Sequence, residues 1–144
     1  MSAVPHALHQ ASVVAIDGRA VMIEGPPGSG KSTLALALID RGAKLIGDDG
    51  VRIERHDETL MACPPPNIAG KIELRGIGIA TLESAPPAPL GLILELCDHC
   101  DRLPEQLPQR EILGLSIPVL PFIPGTIAPA VRAEWALAMH GLAL

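Results

Sequence analysis

AVMIEGPPGSGKST, residues 20–33, is the stretch that decides the fold of this chain. It begins with apolar residues, continues through a glycine-rich run and reaches Lys31-Ser32. This spacing matches the pattern Gly-x4-Gly-Lys-Ser/Thr, in which a strand leads through a tight loop into a helix. The glycines let backbone N–H groups turn inward and form an anion site at the start of that helix. The sequence therefore predicts a phosphate-binding loop, or P-loop.

The predicted contacts to a nucleoside triphosphate come from the P-loop itself: Gly25, Pro26, Pro27, Gly28, Ser29, Gly30, Lys31, Ser32 and Thr33. Lys31 provides a compact positive charge for the outer phosphates. The Ser32 hydroxyl is an oxygen ligand of the kind that Mg²⁺ accepts. A glycine-rich surface turn would not explain a Lys-Ser pair at this spacing, so we expect nucleotide binding with Mg²⁺.

The segments around the P-loop predict an α/β domain that has more strands than helices. Two strands, Ala11–Ile16 and Ala20–Ile23, are joined by Asp17-Gly18, a strong hairpin signal. A helix is expected from Thr33 to Arg41, because its apolar residues share one face and a glycine follows. The remaining predicted elements are strands over 44–47 (continued by 51–55), 90–96 and 112–119, and a closing amphipathic helix, Pro129–Leu144, around Trp135.

Composition excludes several classes of protein. With 144 residues, 48% hydrophobic and 19% charged, the chain is expected to form one globular domain over residues 1–144. Phe122 and Trp135 are the only aromatic residues and the net charge is −5, so no nucleic-acid partner is expected. Prolines and a glycine interrupt the most apolar region, Leu115–Val131, which argues against a membrane span. The N-terminus lacks signal-peptide features, so we expect a cytoplasmic protein.

Asp48 and Asp49 end the predicted strand over 44–47 and could project beside the phosphates. One carboxylate could orient Mg²⁺ or its waters, and the other could accept a hydroxyl proton during phosphoryl transfer. Two solvated aspartates in a strand-end turn are the alternative. The pair by itself supports both interpretations equally.

The segment IELRGIGI, residues 72–79, resembles the signature of bacterial HPr kinase/phosphorylase. Glu73 and Arg75 are two positions apart, so on a strand they would share a face. Further matches stand in the same order: the P-loop, Arg41-Gly42 leading to Asp48-Asp49, and Asp101-Arg102-Leu103. The resemblance runs from Ala11 to about Val119. The chain resembles the short form of this family, which carries the catalytic domain without an N-terminal domain.

The resemblance implies an ATP- and Mg²⁺-dependent serine kinase that acts on the phosphocarrier protein HPr and regulates carbon metabolism or phosphotransfer signalling. Asp49 would take the serine proton, while Lys31 and Arg102 would stabilise the transferring phosphoryl group. Ser32 and Glu73 would bind Mg²⁺. The implied fold is a P-loop domain with a mostly β core and few helices, similar to the nucleotide domain of phosphoenolpyruvate carboxykinase. The implied assembly is a homo-oligomer, commonly a hexamer.

Two departures from the family pattern bear on function. The upstream catalytic histidine of the family falls on Gln10, and its neighbour His9 is the candidate for that role; a solvated leader residue is the alternative. The family loop Pro-Val-Arg-Pro-Gly-Arg, linked to dephosphorylation, reads PVLPFIPG at 118–125 and lacks both arginines. Kinase activity is therefore favoured over phosphorylase activity. A P-loop kinase of a small metabolite and a non-catalytic nucleotide-sensing module are the alternative functions.

Overall fold

The computed structural model describes residues 4–66, 70–99 and 103–144. The strands in this part are β1 (His6–His9), β2 (Ser12–Ile16), β3 (Arg19–Glu24), β4 (Lys44–Gly47), β5 (Val51–His56), β6 (Thr59–Cys63), β7 (Lys71–Leu74), β8 (Gly78–Thr81), β9 (Ala88–Leu96), β10 (Gln109–Ile112) and β11 (Leu115–Phe122). The helices are α1 (Lys31–Asp40) and α2 (Pro129–His140). The predicted α/β class, with a mostly β core and few helices, is confirmed.

The strand that leads into the P-loop lies inside the main sheet, whose order is β1-β5-β6-β9-β3-β2-β4 with β11 and β10 attached through β9. The predicted hairpin joins β2 to β3 in antiparallel register. Its turn residues Asp17 and Gly18 have φ of 49° and 83°, the pair of positive angles that a two-residue turn of this kind requires. β3 is parallel to β9, and β9 is parallel to β11. The carboxyl ends of these three strands therefore point toward the edge where the P-loop begins.

The central strands are apolar on both faces because each face is covered. Val21 and Ile23 of β3 pack with the two helices, whereas Ala20 and Met22 point into a second cluster on the opposite face. All four side chains are fully buried. The strand predicted over 90–96 is confirmed as the later part of β9, and it alternates between the same two clusters. Replacing Ile23 by Ala would remove contacts on the helix side at a cost of about 2–5 kcal/mol.

Two predicted boundaries at the site are wrong. α1 begins at Lys31 rather than Thr33, because Gly30 at φ 102° already serves as the N-cap residue. Residues 51–56 do not continue β4. β4 pairs with β2, whereas β5 pairs with β1 and β6. The chain changes direction at Asp49, whose φ of 58° is incompatible with an extended strand.

The closing helix also differs from the prediction. α2 ends at His140, and it buries a face of small residues (Ala130, Ala133 and Ala136) together with Leu137. Trp135 points outward and is 63% exposed. Because α2 packs against α1 and the sheet, small residues allow the close approach that a tryptophan would prevent. No helix in the described residues is long and apolar enough to cross a membrane.

Candidate active site

The P-loop connects the end of β3 to the first turn of α1. Gly28 and Gly30 have φ of 81° and 102°, so a side chain at either position would strain the backbone. The Ser29 N–H donates to the Pro26 carbonyl at 3.0 Å and closes a turn inside the loop. The first turn of α1 contains no acidic residue. Its unpaired N–H groups and positive partial charge therefore face the loop, as an anion site requires.

The Lys31 side chain folds back over the P-loop. Its Nζ donates to the Gly25 carbonyl at 2.9 Å and to the Pro26 carbonyl at 3.4 Å. These acceptors are neutral carbonyl oxygens, whereas a phosphate oxygen carries negative charge and attracts the ammonium group more strongly. A bound phosphate would therefore compete for the ammonium group, which lies at the mouth of the loop where the outer phosphates belong.

Asp48 joins three separate elements through its carboxylate. Its Oδ1 accepts hydrogen bonds from Ser12 Oγ on β2 at 2.8 Å and from Ser32 Oγ on α1 at 2.7 Å. Its Oδ2 accepts from the Glu73 N–H on β7 at 3.1 Å. Asp48 is 6% exposed and Ser12 is fully buried, so these donors compensate the cost of burying the carboxylate. The alternative interpretation of Asp48 as a solvated turn residue is therefore wrong.

Asp49, next in the chain, is exposed and faces a cavity of about 520 Å³. The turn that carries it is tight, because a Cβ atom at Gly47 would clash with the Gly50 carbonyl oxygen. A non-glycine residue at positive φ is uncommon, and such residues cluster at active sites where the surroundings hold them. The two adjacent aspartates thus differ in environment, since one is buried and fully bonded while the other is presented to solvent.

The cavity brings together five of the predicted catalytic and metal-binding residues: Lys31, Ser32, Asp48, Asp49 and Glu73. Ser12 also lines it, although no role was predicted for Ser12. The available signal was a lone hydroxyl in the otherwise apolar run ASVVAI. Its significance depends on Asp48, which lies 36 residues later.

The β7–β8 hairpin forms one wall of the cavity. The fully buried Ile72 anchors it in the core beside the helices. Glu73 lies in β7 and Arg75 immediately follows it, and both line the cavity. A Cβ atom at Gly28 would lie 3.9 Å from Nη1 of Arg75, which places the guanidinium beside the P-loop. Arg75 is thus a second cation at the site to which the sequence analysis assigned no role.

The two remaining predicted catalytic residues are His9 and Arg102, and the structure describes His9 alone of the two. His9 lies on β1 opposite Val51, and its Nε2 is buried without a hydrogen-bond partner among the described residues. It is absent from the residues that line the cavity. Arg102 lies outside the described residues, so its role stays a prediction.

The donor set suits Mg²⁺. The cavity contains the Ser32 hydroxyl and the carboxylates of Asp48, Asp49 and Glu73, all of them hard oxygen ligands. Among residues 4–66, 70–99 and 103–144, no three His, Cys, Asp or Glu side chains are close enough to hold a metal by themselves. Mg²⁺ usually takes one or two protein carboxylates and completes its shell with water and substrate phosphates. The residues present fit that arrangement.

The clear pKa shifts lie away from this cavity, on β5 and β6. Hydrogen bonds from His56 and Arg52 lower the pKa of Glu54. A carboxyl group whose pKa is lower in the folded chain than in the unfolded chain stabilises the fold at pH values above the unfolded pKa. The contribution of Glu54 is therefore lost as the pH falls through its lowered pKa. Burial raises the pKa of the Cys63 thiol. Both shifts have a structural cause on the antiparallel side of the sheet.

Comparison with known proteins assigns the family. The family described as HPr Serine kinase C-terminal domain matches residues 3–85, more than half of the 144 residues. The chain belongs to the HPr serine kinase C-terminal domain family. The resemblance inferred from IELRGIGI and the P-loop is thereby confirmed.

Similar members of this family include curated proteins named HPr kinase/phosphorylase. The protein from Alkaliphilus metalliredigens is 39% identical over 115 residues, which cover 71% of this chain and 37% of the relative. That from Geobacillus thermodenitrificans is 35% identical over 128 residues, covering 78% and 41%. That from Clostridium botulinum is 46% identical over 67 residues, covering 46% and 22%. The matched region thus spans less than half the length of each of these relatives.

A solved structure titled as the HPr(Ser) kinase/phosphatase from Coxiella burnetii is similar across nearly the whole fold. The TM-score is 0.82 and the sequence identity is 27%. The match covers 93% of this chain and 95% of that one. The agreement extends beyond residues 3–85, so it includes the later strands and α2, on which the family assignment from sequence does not depend.

Proposed function

We propose that this member of the HPr serine kinase C-terminal domain family transfers the terminal phosphoryl group of ATP, with Mg²⁺, to a serine of an HPr-like phosphocarrier protein. The observation that carries the proposal is the cavity at the N-terminus of α1. It combines the P-loop lysine, a serine hydroxyl and three carboxylates in one place. The names of the similar proteins support HPr as the acceptor.

Binding begins with the phosphates at the P-loop N–H groups. Lys31 exchanges the Gly25 and Pro26 carbonyls for the outer phosphates, which carry full negative charge. Ser32 and Glu73 would hold Mg²⁺, and Asp48 fixes Ser32 through the 2.7 Å hydrogen bond. When bound, Mg²⁺ neutralises the charge that develops on the phosphate oxygens.

Transfer requires a base for the serine hydroxyl. Asp49 accepts the hydroxyl proton while the seryl oxygen bonds to the terminal phosphorus and the bond to the ADP oxygen breaks. The exposure of Asp49 suits an acceptor that arrives from another protein. Arg75, beside the P-loop, and Arg102 stabilise the charge on the transferring group. His9 pairs with Val51 of β5 and would influence the cavity only through that strand.

A dephosphorylation reaction would use the same residues. Inorganic phosphate would attack the phosphorus of phosphoserine and form pyrophosphate, while Asp49 gives its proton to the leaving seryl oxygen. Loop 123–127, in the region where the family arginines are missing, contains no arginine. The forward reaction is therefore expected to dominate.

We also propose a domain extent, a cellular location, an assembly and a regulatory role for the chain. The chain forms one domain over residues 1–144, acts in the cytoplasm and assembles as a homo-oligomer, with six subunits by family resemblance. Its regulatory role is in carbon metabolism or phosphotransfer signalling. The support for these points is the family assignment.

Incubation of the purified chain with HPr and Mg-ATP, followed by mass spectrometry of HPr, tests the proposal. We expect phosphoserine on HPr, and none when EDTA removes the Mg²⁺. Absence of phosphoserine under both conditions would overturn it. Mg-ATP binding without transfer to any partner would instead select the nucleotide-sensing function, and turnover of a small metabolite alone would select the metabolite kinase.

A further inference from the structure

A second cavity, of about 230 Å³, lies on the other flank of the P-loop. One wall is formed by the P-loop and α1, including Ser29, Thr33 and Ala37. The opposite wall is formed by Pro124 and Pro129, which lie close to the start of α2. None of its lining residues is charged. The function proposed above makes no use of this cavity.

The two cavities share Gly30 and Thr33 at the N-terminus of α1. Phosphates held by the P-loop N–H groups therefore lie between them. The terminal phosphate belongs on the side of Lys31 and the carboxylates, where the transfer chemistry is. The other end of the phosphate chain must leave on the opposite flank. We propose that the second cavity binds the nucleoside portion of the nucleotide; this rests on the proposed function only in taking ATP as the ligand.

The chemistry of the walls fits a neutral base and its ribose. Leu34, Ala37, Pro124 and Pro129 offer apolar surface to the faces of a heteroaromatic ring. Ser29 Oγ is buried and has no hydrogen-bond partner among the described residues. An unpaired buried hydroxyl is unfavourable, and rotation of the Ser29 side chain toward the cavity would let it bond a ribose hydroxyl or a ring nitrogen. No charged side chain lines the cavity to pair with a second phosphate.

The proline wall is held in place by Arg132 of α2. Its Nε donates to the Ile127 carbonyl at 2.8 Å and its Nη1 to the Ile123 carbonyl at 3.0 Å, and Nη2 donates to the Pro124 carbonyl. The guanidinium also lies over the Phe122 ring, 4.9 Å from its centroid. Arg132 thus fixes both ends of loop 123–127. A wall fixed before the ligand arrives reduces the ordering cost of binding.

Comparison of two ligands that differ only in the nucleoside tests the assignment. Isothermal titration calorimetry would measure the Kd of Mg-ATP and of Mg-tripolyphosphate for the native chain and for Ala37→Leu, which fills the cavity on a helix that tolerates leucine. We expect Ala37→Leu to weaken ATP binding about tenfold while tripolyphosphate binding changes less than about twofold. The matched control is Ala138→Leu on the exposed side of α2, which should change neither.

Unchanged ATP affinity in Ala37→Leu would overturn the assignment, and so would an equal loss for both ligands. Should Ala37→Leu fail to fold, Ala37→Met provides a flexible side chain that partly fills the same space, with the same two ligands and the same criteria. Failure of the native chain to bind ATP would count against the proposed function. Binding of ATP that is insensitive to both substitutions would reject the nucleoside site alone.

Discussion

The two cavities beside the N-terminus of α1 share backbone but differ in chemistry. The first contains a lysine, an arginine and three carboxylates, and the second contains no charged side chain. The common residues Gly30 and Thr33 belong to the P-loop, whose N–H groups can serve a ligand that extends in both directions. The difference shows how one anion site can serve two tasks. Charged side chains lie on the side where the phosphoryl group would be transferred, and apolar side chains lie on the side where the nucleoside would be bound.

The largest effect should come from Asp49→Asn in the charged cavity. Asparagine has the same shape and tolerates positive φ, but it cannot accept the serine proton. We expect phosphoryl transfer to HPr to fall by at least about 100-fold, with the Kd of Mg-ATP changed less than about twofold. Single-turnover transfer and calorimetry measure the two quantities. Transfer that survives at the native rate would remove Asp49 from the mechanism.

Ser12→Ala should specifically weaken the response to Mg²⁺. It removes one of the two hydroxyl donors to Asp48 Oδ1, so Ser32 is held less firmly. A hydrogen bond to a charged group contributes about 1.5–3 kcal/mol. Ser12 acts on Ser32 only through Asp48, so we expect part of this energy, about 1 kcal/mol, to reach the metal site; that corresponds to roughly a fivefold rise in the Mg²⁺ concentration needed for half-maximal ATP binding.

The control for this substitution is Ser12→Thr, which keeps the hydroxyl and should restore the Mg²⁺ response. ATP binding measured in EDTA should be the same in Ser12→Ala and the native chain. An equal loss of ATP affinity with and without Mg²⁺ would show that Ser12 serves the fold and not the metal site.

Arg132→Met should affect the apolar cavity and leave the charged one unchanged. Methionine keeps contact with Phe122 but cannot bond the loop carbonyls. We expect ATP affinity to fall about fivefold and tripolyphosphate affinity to stay within about twofold. The control is Arg41→Met, which removes the exposed Arg41–Glu134 ion pair of 2.9 Å between the two helices. Such a pair contributes about 0–1 kcal/mol, so it should change neither affinity. Equal effects of the two substitutions would contradict a specific role for the loop.

The smallest effect should come from His9→Gln. His9 contacts the site only through its pairing partner Val51, which follows the Asp48–Gly50 turn. Turnover with HPr should fall no more than about threefold. A drop greater than about tenfold would show that His9 enters the catalytic cavity when the partner protein binds, as the resemblance implied. The comparison variant is His6→Gln, further from the turn on the same strand, which should have no effect.

Much of the site could be predicted because its signals are local. The P-loop depends on glycines a few residues apart, and the hairpin at Asp17-Gly18 depends on two consecutive positive φ angles. Both signals were interpreted correctly. The start of α1 was predicted at Thr33 and lies at Lys31. The capping role of Gly30 depends on a backbone angle that residue spacing alone does not reveal.

The misassigned elements share a cause of a different kind. Residues 51–55 were predicted to continue β4, but β4 pairs with β2 and β5 pairs with β1 and β6. Trp135 was placed at the centre of an apolar helix face, but the close packing of α2 against α1 and the sheet selects alanines there. In both cases the deciding partner is distant in sequence, so local periodicity carried too little information.

The sequence by itself determined that this chain has a P-loop, that a strand precedes it and a helix follows, and that acidic residues lie near it. Short-range backbone geometry and side-chain chemistry suffice for those conclusions. Only the tertiary structure decided that Asp48 is held by donors 36, 16 and 25 residues away, and that the loop before α2 closes a second cavity against α1. Hydrogen bonds and cavities of this kind depend on which segments the sheet brings together, and long-range packing determines that arrangement.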